Sequence, residues 1–213
     1  MSCIRSGFLS ILALGAGGAV AGDALAATKV ACVGDSITAS SSRYPSHLAQ
    51  GLGSDYSVKN FGRSGTTMMK APGASYWKTT QFVDSGAYAP QVVVIMLGTN
   101  DSKKSNWSAH GQDYKRDSLA MVRRYQNLGS HPQVFVMTSP PNYTNGSRYQ
   151  PSVIKNQIVP IVRQVSRETG AVLIDIFTPL SGHPELFPDG THPSTTASKR
   201  IAALVKKAIL ANR

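Results

Sequence analysis

Residues 91–101 read Gln-Val-Val-Val-Ile-Met-Leu-Gly-Thr-Asn-Asp. The run from Gln91 to Leu97 is apolar without alternation, the pattern of a strand covered on both faces rather than one with a wet side. It stops at Gly98, and polar groups follow at once. Outward from this run, strand-like and helix-like segments alternate at short spacing. Lys29–Val33 and Tyr56–Phe61 read as strands before it, Gln133–Thr138 and Ala171–Ile176 as strands after it. Between and beyond them the spacing predicts helices over Pro45–Leu52, Asp113–Asn127, Val153–Thr169 and Ser194–Ala211. The third-turn positions Leu119, Val122 and Tyr125 give the second of these an apolar face, and Ser194 supplies a cap for the last. The expected class is α/β: a three-layer α/β/α unit on a five-stranded parallel sheet, with reactive groups at the carboxyl ends of its strands.

The chain has 213 residues, 41% hydrophobic and 15% charged, a balance that suits a folded protein and excludes a disordered one. Residues 1–26 read as an export signal: Arg5 precedes the uncharged apolar stretch Gly7–Gly22, and Ala24-Leu25-Ala26 is a small-x-small cleavage site. The stretch is too short and too rich in Gly and Ala for a membrane span. The domain proper is then residues 27–213, exported to the periplasm or the medium. Its one cysteine, Cys32, lies inside an apolar run, so it reads as a core residue without a disulfide partner. The net charge of +11 reads first as that of a soluble basic exported protein and second as attraction to acidic glycans or an anionic envelope surface. The basic residues are dispersed and no nucleic-acid-binding motif accompanies them, so nucleic acid is not the expected partner.

Four polar segments sit where reactive groups are expected. Gly34-Asp35-Ser36-Ile37 ends the first strand, and a Ser hydroxyl there needs a base to become a nucleophile. Asn60-Phe61-Gly62-Arg63-Ser64-Gly65-Thr66-Thr67 follows the second strand, and its glycines let a backbone N–H point at a developing oxyanion. Gly98-Thr99-Asn100-Asp101 offers the side-chain amide of Asn100 for the same purpose. Asp189-Gly190-Thr191-His192-Pro193 places a carboxylate three residues before an imidazole, the pairing by which a general base is held in one tautomer. His47, His110, His131 and His183 have no metal-ligand spacing and read as surface or packing residues. No Gly-x-Ser-x-Gly elbow, His-Glu-x-x-His pair or phosphate-binding glycine loop competes with this set. Asn-x-Ser/Thr sites at Asn100, Asn106, Asn142 and Asn145 read as accidental, since a glycan on Asn100 would block the proposed donor.

Taken in order, these blocks resemble the GDSL esterases and lipases, also called SGNH hydrolases, with Ile37 standing where Leu is usual. The likeness spans residues 28–210. It implies a flavodoxin-like sheet, Ser36 as nucleophile, His192 as base and Asp189 as its orienter. It further implies an oxyanion hole of the Ser36 N–H, the Gly65 N–H and the Asn100 amide, with Gly62 the weaker match for the glycine, and neither metal nor cofactor. Asn-Phe-Gly-x-Ser-Gly-Thr-Thr, Tyr76-Trp77, Asn106-Trp107 and Ser181–Pro188 are similar to the branch described as sialate or carbohydrate O-acetylesterases. The expectation is therefore an exported serine esterase that removes short acyl groups, chiefly acetyl, from small-molecule or glycan esters. A broad lipase-like, aryl esterase or lysophospholipase activity is the alternative, and a non-catalytic glycan-binding protein the alternative of another class. The aromatics Tyr76, Trp77 and Trp107 either stack on sugar rings or close a small core.

Overall fold

The computed structural model describes Met1 and residues 26–146 and 148–213. Apart from Met1 and Ala26, the expected export signal lies outside the described residues. Five strands form one parallel sheet: β1 Thr28–Gly34, β2 Tyr56–Gly62, β3 Val92–Met96, β4 Gln133–Met137 and β5 Val172–Ile174, in the order β2-β1-β3-β4-β5. That order reverses between β1 and β3, and such a reversal opens a crevice at the carboxyl ends of the strands.

The helices are α1 Ser36–Ala39, α2 Tyr44–Leu52, α3 Thr80–Ala87, α4 Lys104–His110, α5 Tyr114–Gln126, α6 Pro151–Val153, α7 Val159–Thr169, α8 Phe177–Leu180 and α9 Thr195–Ala211. Successive residues of a strand point to opposite faces, and the core divides accordingly. Ala31, Val33, Val93, Ile95, Val134 and Val136 pack with Met121 and Tyr125 of α5 and Val162 and Val165 of α7. Val30, Cys32, Val94, Met96 and Phe135 pack with Leu48 of α2 and Ile201, Val205 and Ile209 of α9. The unbroken apolar run of β3 feeds both clusters, and all five of its residues are buried.

Three differences from the sequence reading have local causes. β5 ends at Ile174, not Ile176, because side chains replace strand pairing beyond it. Thr138 Oγ1 accepts from the N–H groups of Ile176 and Phe177 at 2.9 and 3.0 Å and donates to Asp175 Oδ1 at 3.2 Å. The helix expected over Val153–Thr169 is interrupted by a wide turn over Ile154–Ile158, where Val159 N–H reaches back to Ile154 O. Pro160 has no N–H to give to the preceding turn and its ring would crowd the carbonyl of residue 156, and one widened turn removes the conflict. Helices α3 and α4 lie in stretches for which no element was expected. Each rests on the core through one partly buried aromatic, Phe82 of α3 among Tyr76, Trp77 and Tyr125 and Trp107 of α4 against Tyr114, while α3 fully buries only Ser85 and α4 no residue.

Candidate active site

The carboxyl ends of β2, β1 and β3 lie side by side, and the polar segments that follow them meet above the sheet. Asp35 caps α1 by accepting the Ile37 N–H on Oδ1 at 2.9 Å. This cap turns the chain sharply, so Ser36 stands as the first helical residue with its side chain half-exposed. The N–H groups of Thr38 and Ala39 both go to Asp35 O. The Ser36 N–H, at the helix start, has no earlier helical carbonyl to reach.

His192 arrives from the far end of the chain. Its Nε2 lies 2.8 Å from Ser36 Oγ, and its Nδ1 lies 2.6 Å from Asp189 Oδ2. Asp189 Oδ1 also accepts the N–H groups of Thr191 and His192, at 2.9 and 2.6 Å, which folds the segment into a tight loop ahead of α9. Burial pushes the Asp189 carboxyl up, but the hydrogen bonds from His192 and Thr191 outweigh it and hold the group at about 2. Asp189 is therefore an anion at any working pH. Arg43 Nη1 donates to Pro193 O and ties this loop to the start of α2.

The two glycines after β2 separate cleanly. The Gly62 N–H is taken by Asn60 Oδ1 at 2.9 Å, and a side chain there would strike Ala39. Gly65 has a φ of 82°, in the left-handed region that favours glycine. Among the described residues its N–H has no protein acceptor. Asn100 is buried, and its amide nitrogen sits 3.1 Å from Thr66 O and 3.3 Å from Asp35 Oδ2. Contacts thus link Ser36, His192 and Asp189 in series and join Asn100 to Asp35, the residue before Ser36, and to Thr66, the residue after Gly65.

Two carboxylates beneath these groups were not assigned roles by the sequence. Asp101 accepts the N–H groups of Met68 and Met69 on its two oxygens, both at 2.9 Å, and so ties the segment after Gly65 to the segment after β3. Burial raises Asp101 to about 7 against those two hydrogen bonds, with the nearby Asp35 charge adding to the rise. Burial likewise raises Asp35 to about 6, opposed by the Ile37 N–H, the His192 and Lys103 charges and the Asn100 amide. The signal in the sequence was Asp101 directly after Asn100, but its partners lie 32 and 33 residues away and leave no local pattern.

The aromatics resolve towards packing. Tyr76 is fully buried and donates to Phe61 O at 2.6 Å. Trp77 donates to Met68 O at 2.9 Å and stacks near Phe82, while Trp107 leans on Tyr114 with ring centroids 5.7 Å apart. Among the described residues no group of three or more His, Cys, Asp or Glu side chains could hold a metal ion. No helix among them is long and apolar enough to cross a membrane.

Residues 32–200 match the GDSL-like Lipase/Acylhydrolase family. The chain belongs to that family. Its members are carboxylic ester hydrolases, and the α/β fold agrees with theirs. An acetylxylan esterase of Xylanibacter ruminicola is 31% identical over 208 aligned residues, covering 86% of this chain and 43% of that protein. The chain thus spans less than half the length of that curated relative. Among solved structures, the native aryl esterase of M. smegmatis superposes with a TM-score of 0.71 at 18% identity, covering 87% of this chain and 99% of that one. A carbohydrate acetylesterase family member from Sinorhizobium meliloti superposes with a TM-score of 0.67 at 20% identity, over 85% of this chain and 97% of its own.

Proposed function

We propose that this GDSL-family chain is an exported serine esterase that removes acetyl groups from carbohydrate esters through Ser36, His192 and Asp189. The observation that carries the reading is the continuous contact from Ser36 Oγ to His192 Nε2 at 2.8 Å and from His192 Nδ1 to Asp189 at 2.6 Å. With Nδ1–H directed at the ionised Asp189, Nε2 is left to accept the Ser36 proton. Ser36 Oγ then bonds to the ester carbonyl carbon as its proton passes to His192, and the carbonyl oxygen becomes an anion. The Ser36 and Gly65 N–H groups and the Asn100 amide supply the donors for that anion. The long contact between Asn100 and Asp35 is the one that the amide hydrogen can share with it. Collapse breaks the ester C–O bond, and the leaving alcohol takes the proton from His192. Water, activated by the same imidazole, then releases acetate and restores Ser36.

The acetylxylan esterase relative and the carbohydrate acetylesterase neighbour support an acetyl group on a sugar. Arg5, the apolar stretch Gly7–Gly22 and Ala24-Leu25-Ala26 support export. A fluorinated organophosphate ester is expected to leave a covalent adduct on Ser36, detected by mass spectrometry of the tryptic peptide. Ser36→Ala should lose the adduct and at least about a thousandfold in kcat while unfolding at the same temperature. Across a series of 4-nitrophenyl esters, kcat/KM should peak at acetate; a peak at eight or more carbons would remove the acetyl assignment and favour a lipase-like enzyme.

A further inference from the structure

One wall of the cleft carries a second arrangement that ester hydrolysis as such does not need. Lys103 follows Asn100 by one turn, its N–H 3.3 Å from Asn100 O. An isolated antiparallel bridge joins Lys103 to Tyr149, and the Lys104 N–H donates to Arg148 O at 3.1 Å. Two segments distant in sequence are thereby fixed together. On them, Lys103 Nζ and Arg148 Cζ each lie 5.5 Å from the centre of the Tyr149 ring. Among the described residues neither cation forms an ion pair, whereas Lys115, Arg116 and Arg163 do.

The place of this cluster follows from its backbone contacts: Lys103 lies one turn beyond Asn100, and the Gln150 N–H donates to Ser102 O at 3.1 Å, which holds Tyr149 beside the segment that carries Asn100. Burial lifts the Tyr149 phenol above its ordinary value, and the charges of both Asp35 and Asp189 lift it further. Those carboxylates adjoin Ser36 and His192, in keeping with a place for Tyr149 beside the Asn100 side of the site. Burial and the neighbouring Arg148 hold the Lys103 ammonium below its usual value, against the pull of Asp35 and Asp101. Those two carboxylates give Lys103 a reason to be there, but they give none for a second cation beside it. In a chain of net charge +11 unpaired cations are common. Two against one ring, one of them half-buried, hold like charges together in a place that an incoming anion would relieve.

We infer that Lys103, Arg148 and Tyr149 form a subsite for the carboxylate of an acidic sugar, so that the preferred substrate is an acetylated uronic-acid polysaccharide. Arg148 presents the planar fork that pairs with a carboxylate, Lys103 adds a point charge, and Tyr149 offers a face and a hydroxyl to the ring that bears it. The inference rests on the esterase reading above and specifies the substrate of that same site.

The test measures acetate release from O-acetylated polygalacturonate and from the same polymer after chemical reduction of its carboxyl groups, with 4-nitrophenyl acetate as a third substrate. The wild-type chain is expected to favour the acidic polymer by about tenfold or more in kcat/KM, mostly through KM, and to lose part of that preference as salt rises. Arg148→Gln, an exposed position, should cut the preference severalfold, and Lys103→Gln should cut it as well. Lys207→Gln, on the distant α9, should leave it in place, which separates a subsite from general attraction to a basic protein. A wild-type preference near one, or an unchanged preference in Arg148→Gln, overturns the subsite while hydrolysis of 4-nitrophenyl acetate leaves the esterase reading standing. Failure on all three substrates overturns both.

Discussion

At the scale of single residues, Asp35 has two tasks that its neighbour Ser36 depends on. Its Oδ1 caps α1, and its Oδ2 accepts from the buried Asn100 amide. Replacing it with Asn preserves the shape and leaves an oxygen for the Ile37 N–H. The replacement also turns an NH2 group towards the NH2 of Asn100, so donor faces donor and Asn100 must rotate or drift. Loss of one oxyanion donor typically costs about a hundredfold to a thousandfold in rate, and a displaced donor should cost less. Asp35→Asn is therefore expected to lower kcat on a small acetyl ester by about 10- to 100-fold with KM nearly unchanged and the fold retained. Steady-state kinetics alongside a thermal melt decides the matter. Full kcat in this variant would reduce Asp35 to a helix cap. Asp189 differs in kind: it is mostly solvent-exposed, with a side-chain exposure of 56%, so its 2.6 Å contact with His192 adds little to holding the domain together.

At the scale of elements, the site depends on where each strand stops and each helix starts. Ser194 ends the Asp189–Pro193 loop and caps α9, its Oγ accepting the Ala197 N–H at 3.2 Å. Ser194→Ala should cost about 1 kcal/mol, read as a lower urea midpoint with an unchanged slope, because a cap is lost and no core atom moves. A change in slope instead would mean that α9 no longer docks. The central strands β1, β3 and β4 were legible in the sequence because burial on both faces writes an unbroken apolar run, as in Val92–Met96, and a run needs no knowledge of partners. Helices α5 and α9 were legible through an apolar face and a Ser cap. Helix α4 was not, since Lys104–His110 has no fully buried residue and rests on the core through Trp107, a single apolar position that makes no period to read. The turn at Ile154–Ile158 was hidden for a different reason: Pro160 announces a break in the helix but not the form that the break takes. The five candidate residues stood out in the sequence because each lies in a polar segment that follows a strand or precedes a helix. The bond between Asp35 and Asn100 was not, since 65 residues separate its partners and only the β1–β3 pairing brings them together.

For the whole molecule, the two buried carboxylates under the site set a dependence of stability on pH that opposes the effect of net charge. Asp35 is raised to about 6 and Asp101 to about 7, both by burial first. Each group binds its proton more tightly folded than unfolded, where an Asp titrates near 4. Between about pH 4 and pH 7 the folded state then holds more protons than the unfolded state, and stability falls as pH rises through that window. Asp189 acts in the other direction, though only weakly because it is mostly exposed: its carboxyl is held at about 2, and what it contributes is lost as pH falls below 4. The net charge of +11 predicts the reverse trend, because each proton lost as pH rises lowers the net positive charge and its self-repulsion. Salt separates the two effects. Charges dispersed over the surface are screened beyond about 8 Å at physiological ionic strength, whereas a buried carboxylate is hardly screened at all. In 0.5 M sodium chloride, about the upper range of ordinary buffers, the buried groups should dominate and the melting temperature should fall from pH 5 to pH 8. At low salt the slope should be shallower. Circular-dichroism melts over that range test the argument, and a melting temperature that rises with pH in high salt would mean that Asp35 and Asp101 are not held against ionisation by the fold.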